Sequence, residues 1–171
     1  ETRTRGKFEV ARRGTLFLDE IAHMSLPFQQ KILRAVEYGT FTRVGGDAEI
    51  SSDARIVAAT NADLRQRIAE GRFLPDLHDR LAFEEIVVPP LRERPGDIEV
   101  LAGHFLERFA REVPSLGRKR LAPDAADALR RHDFPGNVRE LKNIIERGAY
   151  RDASEEISAG DLGLPPTPAP R

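Results

Sequence analysis

The chain has no cysteine, no tryptophan, one methionine and two tyrosines in 171 residues. Without cysteine there is neither a disulfide nor a thiolate metal site, in keeping with a cytoplasmic location. An excess of one charge is missing too. Lys and Arg total 27 against 28 Asp and Glu, so no global basic field draws nucleic acid. No apolar run approaches the roughly 20 residues of a membrane helix, and no signal-peptide pattern opens the chain. No membrane partner is therefore expected. His23, His78, His104 and His132 are scattered without ligand spacing and read as surface or boundary residues. The phosphate-cradling pattern G-x-x-x-x-G-K-[ST] is also missing: Phe8 follows Gly6-Lys7, and no residue stands at the first glycine position. The opening residues, Glu1 to Lys7, lack an initiating methionine and any apolar periodicity, so the expectation is the middle of a longer protein.

What remains is 40% apolar and 32% charged, enough for a packed core beneath a solvated surface. The most informative stretch is Gly14-Thr15-Leu16-Phe17-Leu18-Asp19-Glu20, an apolar run closed by two carboxylates. Such a run suits a strand buried on both faces of a parallel sheet, and ligands bind beyond the carboxyl ends of those strands. Two roles stay open for the acidic pair. It either holds Mg²⁺ and an attacking water, as a Walker B element does, or forms an acidic first helical turn.

Arg55 to Thr60 and Phe83 to Val88 read as two further buried strands. Between the first two strands a helix is predicted, capped by Ser25, with Pro27 in its first turn, a stripe of Phe28, Ile32, Leu33 and Val36, and Gly39 at its end. Phe41 to Val44 and Ala48 to Ile50 around Gly45-Gly46-Asp47 predict a hairpin, and Asn61 to Glu70 a short helix. After Pro89-Pro90 the pattern turns all-helical. Asp97 is placed to cap a helix with the stripe Ile98, Leu101, Phe105, Phe109 and Val113, and a second helix starts near Pro123. A third follows Pro135-Gly136, opened by a capping-box-like pair of Asn137 and Glu140, and buries Val138, Leu141, Ile145 and Ala149. The expected fold is therefore α/β, with a partial parallel-sheet core at 1–88, an all-helical subdomain at 89–160 and a Pro-rich linker at 161–171.

The chemistry implied is nucleotide hydrolysis. Asp19 would hold Mg²⁺ through water, and Glu20 would orient or deprotonate the attacking water. Thr60 and Asn61 end the second strand, where a neutral polar side chain can meet the γ-phosphate or that water. Asn61 can equally be a helix cap. Arg80 lies before the third predicted strand, within reach of a neighbouring subunit's phosphate. Arg139 stands beside its helix's apolar stripe, in a first turn that disfavours a cation, which points to a phosphate partner. For each arginine a surface salt bridge is the alternative. Arg12-Arg13, Arg118-Lys119-Arg120 and Arg130-Arg131 read as solvated faces.

Taken together, Gly14 to Glu20, Val36 to Gly39, Arg43 to Gly46, Ala59 to Leu64, Asp79 to Leu81, Pro90 to Arg94 and Phe134 to Leu141 resemble the AAA+ domain of sigma-54-dependent bacterial transcriptional activators, phage-shock activators especially. The resemblance runs over about residues 5–155. It implies a hexameric or heptameric ring that uses ATP and Mg²⁺ to remodel the sigma-54 RNA polymerase holoenzyme. By resemblance Asp19 and Glu20 are the Walker B pair, Thr60 and Asn61 sensor I, Arg139 sensor II, and Arg80 the second arginine finger. The segment from Glu37 to Ile50 matches the second pore loop.

Three departures accompany the match. The Walker A segment is expected upstream of residue 1, as is the GAFTGA-like sigma-contacting loop, of which Thr2 to Lys7 would be the trailing flank. DNA contact is expected only from a helix-turn-helix domain that these residues do not contain. Finally, Phe73-Leu74-Pro75-Asp76-Leu77 stands where the family has Phe-Arg-x-Asp-Leu, so Leu74 occupies the usual first arginine-finger position and Arg72 is the nearest substitute. A non-hydrolysing ring component and another AAA+ branch are the alternatives. Leu74 favours the first, and the Leu-Arg-Glu-Arg and Phe-Pro-Gly-Asn-Val-Arg-Glu-Leu strings disfavour the second.

Overall fold

A computed structural model describes residues 6–42, 48–151 and 154–165. The chain divides into two compact units, 1–86 and 87–171, each with its own core.

In the first unit β1 (Thr15–Leu18) pairs in parallel with β4 (Arg55–Ala58), placing Leu16 opposite Ile56 and Leu18 opposite Ala58. Side chains alternate along a strand, so Leu16 and Leu18 share one face and Phe17 takes the other. Helices α2 (Leu26–Tyr38) and α4 (Pro75–Leu81) supply the cover: Ile32, Phe73 and Leu77 bury themselves with Leu18 and Ile21. Phe17 is 59% exposed, so the strand expected to be buried on both faces is buried on one.

Helix α2 starts after Ser25, which makes no side-chain cap, and stops at Gly39, whose φ of 64° suits a residue without a Cβ. Its inner face differs from expectation. Phe28 is 45% exposed, and Gln29 beside it is completely buried. Gln29 Nε2 donates to the Met24 carbonyl at 2.8 Å and the Arg72 carbonyl at 3.0 Å, while Oε1 accepts from the Leu74 N–H at 2.9 Å. Those three bonds offset the desolvation of a buried amide.

Strands β2 (Thr40–Thr42) and β3 (Glu49–Ser51) pair antiparallel, as the hairpin pattern requires. Its expected turn, and with it Arg43 to Gly46, lies outside the described residues, as do Thr2 to Arg5. The short helix α1 (Lys7–Val10) rests the Phe8 ring 5.3 Å from that of Phe41.

The helix expected from Asn61 is α3 (Leu64–Ala69), and its cap is Asp63, whose Oδ1 accepts from the Arg65 and Gln66 amides at 2.9 and 3.2 Å. The third predicted strand does not form. Phe83, Ile86, Val87 and Val88 are 73–97% exposed, and no described strand pairs with the segment. An apolar extended run becomes a strand only when a neighbour takes its backbone groups.

The second unit packs α5 (Pro95–Glu112), α6 (Pro123–Arg131), α7 (Asn137–Arg151) and α8 (Ala159–Leu162) around Leu91, Ile98, Phe105, Leu129, Phe134, Leu141 and Ile145. A short parallel pair, β5 (Arg120–Leu121) and β6 (Glu156–Ile157), closes one side. Asp97 does not cap α5. It lies in the first turn and accepts from Arg94 Nη1 at 3.2 Å, while Pro95 presets the helical φ. Asn137 and Glu140 form no capping box either. Asn137 Oδ1 accepts from the Leu91 N–H at 2.8 Å, and Glu140 accepts from the Gly136 N–H at 2.7 Å. Phe134 and Asn137 both take left-handed backbone, with φ of 46° and 51°, and so reverse the chain into α7. The expected linker begins inside this unit, because α8 is helical and Leu162 and Leu164 are buried.

Candidate functional site

The parallel ladder continues past the ends of β1 and β4. The Ala59 N–H donates to the Leu18 carbonyl at 2.8 Å and the Ile21 N–H to the Ala59 carbonyl at 3.1 Å. Asp19-Glu20 and Thr60-Asn61 therefore leave the sheet side by side at its carboxyl edge, where open α/β sheets hold ligands.

Glu20 takes φ 53° and ψ 40°, a left-handed conformation uncommon outside glycine that costs on the order of 1 kcal/mol. The reversal feeds a single 3₁₀ turn, Ile21–His23, anchored by buried Ile21 and Ala22. Asp19 Oδ1 accepts from the Glu20 N–H at 2.9 Å, and Glu20 Oε2 lies 3.1 Å from His23 Nδ1. Among the described residues no Lys or Arg pairs with either carboxylate, and His23 is the one basic side chain beside the pair. Thr60 Oγ1 accepts from the Ala62 N–H at 3.1 Å. Asp63 takes the cap position, and the exposed Asn61 amide has no hydrogen-bond partner among the described residues.

The arginines are held elsewhere. Arg80, in the last turn of α4, donates Nη2 to Glu37 Oε1 at 2.8 Å. No hydrogen bond or ion pair among the described residues joins it to Asp19, Glu20, Thr60 or Asn61. Arg139 is exposed in the first turn of α7 with no partner among the described residues. Leu74 is half-buried against the Phe73 and Leu77 cluster, and Arg72 is ion-paired with Glu70. Neither offers a free cation at the usual first-finger position.

In the second unit, the His132 hydrogen bond holds the Glu140 carboxyl below its ordinary value, against burial and with help from the Gly136 N–H. That clamp sits one residue from Arg139.

Among the described residues no three His, Asp or Glu side chains converge as a metal cage. A hard cation at Asp19 would draw its other ligands from phosphate oxygens and water, the usual habit of Mg²⁺. Sequence reasoning missed Gln29, Glu37 as the partner of Arg80, and His23 beside Glu20. His23 was legible from its place three residues after Glu20, and Gln29 as a polar residue next to an apolar stripe.

Residues 1–87 match the sigma-54 interaction domain, and residues 92–166 the AAA+ ATPase lid domain. The chain is 50% identical over 153 residues to the anaerobic nitric oxide reductase transcription regulator NorR of Aeromonas hydrophila, covering 90% of this chain and 30% of that protein. It is 43% identical over 161 residues to the Psp operon transcriptional activator of Escherichia coli, covering 94% of this chain and 50% of that protein. A crystal structure of NtrX from Brucella abortus in complex with ATP superposes with a TM-score of 0.85 at 38% identity, over 94% of this chain and 36% of that one. The chain thus spans 30–50% of the length of these relatives. It belongs to the sigma-54 interaction domain family, whose members are AAA+ transcriptional activators built to bind nucleotide.

Proposed function

We propose that this chain carries the hydrolytic carboxylates and the lid of an ATPase that works as a hexameric or heptameric ring in the cytoplasm and remodels the sigma-54 RNA polymerase holoenzyme. The observation that carries this proposal is the juxtaposition of Asp19-Glu20 with Thr60-Asn61 at the carboxyl edge of paired parallel strands.

Asp19 has one oxygen engaged by the Glu20 N–H, and its other oxygen is the one that would hold Mg²⁺ through water. The ion, when bound, offsets the negative charge on the phosphates. Glu20 orients the attacking water and accepts its proton; its left-handed backbone sets the direction of its Cα–Cβ bond, and His23 lies against its carboxylate. The unpartnered amide of Asn61 can donate to the γ-phosphate and accept from the same water. Arg80 answers to a neighbouring subunit's nucleotide and Arg139 to the nucleotide of its own, as arginines favour planar phosphate contacts.

The test is ATP turnover by the intact assembled protein. Glu20→Gln keeps the shape but not the base, and is expected to lower kcat by about a hundredfold or more while nucleotide still binds. Unchanged turnover in that variant would favour a ring component that has lost hydrolysis, a reading that Leu74 supports.

A further inference from the structure

Gln29 is the only buried polar or charged residue among those described, and its three side-chain hydrogen bonds all go to backbone. Both of its N–H bonds and one lone pair are spent. One donor goes to Met24, directly after the 3₁₀ turn that follows Glu20. The other goes to Arg72, and the carbonyl oxygen takes the N–H of Leu74, the residue that opens α4. Leu74 has no side-chain cap to give that helix, and Pro75 has no N–H, so Gln29 holds the start of α4 from outside. At the other end of α4, Arg80 returns to α2 through Glu37.

An apolar side chain of the same volume would fill the site without the desolvation penalty of an amide, while leaving the Met24 and Arg72 carbonyls and the Leu74 N–H without this partner. What it would lose is the fixed relation between residues 20–24 and residues 72–74. We infer that Gln29 is a positioning residue, which sets where α4 carries Arg80 relative to the segment led by Glu20. The inference rests on the proposed role of Arg80 at a neighbouring nucleotide. A shift at Glu20 and its turn would pass through Met24 and one amide to the finger helix, so the state of one nucleotide site would bias the arginine offered to the next. The link is short, rigid and made of three hydrogen bonds, which is the kind of contiguous connection a coupling needs.

The experiment is a double-mutant cycle in the intact, ring-forming protein, with Gln29→Met and Arg80→Ala made singly and together. Single-turnover hydrolysis reads the residual rates, and thermal midpoint, ring size and KM for ATP are measured on each variant. Gln29→Met is expected to fold, assemble and keep its KM, and to lose about tenfold in rate, since a small misplacement of a charge-stabilising group costs at least that much. Added to Arg80→Ala, it is expected to cost nothing further, because both changes remove the same contribution.

Full turnover in Gln29→Met overturns the inference. So does an equal loss on both backgrounds, which would mark Gln29 as structural only. If Gln29→Met fails to assemble, Gln29→Asn takes its place in the cycle, since it stays polar but is too short to span both carbonyls. Failure of the underlying function looks different: Arg80→Ala alone would then leave turnover unchanged.

Discussion

The guanidinium of Arg80 donates to the Glu37 carboxylate at 2.8 Å and so ties the last turn of α4 to the last turn of α2. Arg80 is 55% exposed and Glu37 29%, and a pair of that kind contributes about 0–1 kcal/mol. The two partners should then separate by assay. Glu37→Gln and Arg80→Ala are each expected to shift the unfolding free energy by less than about 1 kcal/mol. In the intact protein, Arg80→Ala alone is expected to remove most ATP turnover, by about a hundredfold or more, the scale of an arginine finger. Equal and small effects on turnover would leave Arg80 as a surface ion pair.

How far the sequence revealed this depends on the range of each interaction. The Leu16 to Leu18 strand, the carboxylates after it and the α5 and α7 stripes were legible because apolar spacing is a local signal. Asn61 and Asp63 are equally good caps two residues apart, and only the helix start at Leu64 decides between them. Phe28 and Gln29 compete for one inner position. The outcome turned on the carbonyl of Arg72 and the N–H of Leu74, more than forty positions away along the chain. The Asn137 bond to Leu91 spans a similar distance, so a capping-box pattern concealed a tertiary contact. Phe83 to Val88 has the composition of a strand, yet composition does not supply the neighbour that a strand requires.

Asn137 offers a stability test confined to the second unit. Its side-chain oxygen satisfies the N–H of Leu91, a residue with no exposed surface, and its own φ is 51°. Asn137→Ala removes the acceptor and puts a residue that tolerates left-handed backbone less well than asparagine at φ 51°, so it is expected to cost about 2–4 kcal/mol. Asn137→Gly removes the acceptor but relieves the backbone, and is expected to cost about 1–2 kcal/mol less than alanine. Thermal or urea unfolding of the second unit reads both. Equal losses would assign the whole effect to the hydrogen bond.

Acid should loosen the same region. The hydrogen bond from His132 holds the Glu140 carboxyl below its ordinary value of 4.5, burial opposes that shift, and the Gly136 N–H adds to it. A depressed carboxyl stabilises the folded state fully above the unfolded value, and the contribution disappears as pH falls through the lowered folded value. Unfolding free energy of the second unit is therefore expected to decline below about pH 4.5, with Glu140 contributing part of the loss. Glu140→Gln should be less stable at pH 7 and should flatten that part of the profile. An unchanged acid slope in Glu140→Gln would place the sensitivity in other carboxylates, Glu112 beside Arg108 among them.

Leu74 decides whether one arginine suffices. Its N–H is fixed by Gln29 Oε1, its side chain leans on the Phe73 and Leu77 cluster, and Arg72 is already engaged by Glu70. The backbone at this position does not depend on which side chain it bears, so Leu74→Arg keeps the Gln29 bond and exchanges half-buried apolar contact for a mobile cation. The stability cost is expected to be about 1 kcal/mol, the partial loss of a leucine's burial. Against that, if Arg80 serves a neighbouring phosphate as proposed, a second guanidinium there would share its charge stabilisation, and an arginine finger is worth far more than the packing lost. Leu74→Arg in the intact protein is expected to raise kcat for ATP by about tenfold or more and to rescue part of the loss in Arg80→Ala. A rate that stays flat in both backgrounds would mean that position 74 faces its own core and not the neighbouring phosphate, and the finger role would rest on Arg80 alone.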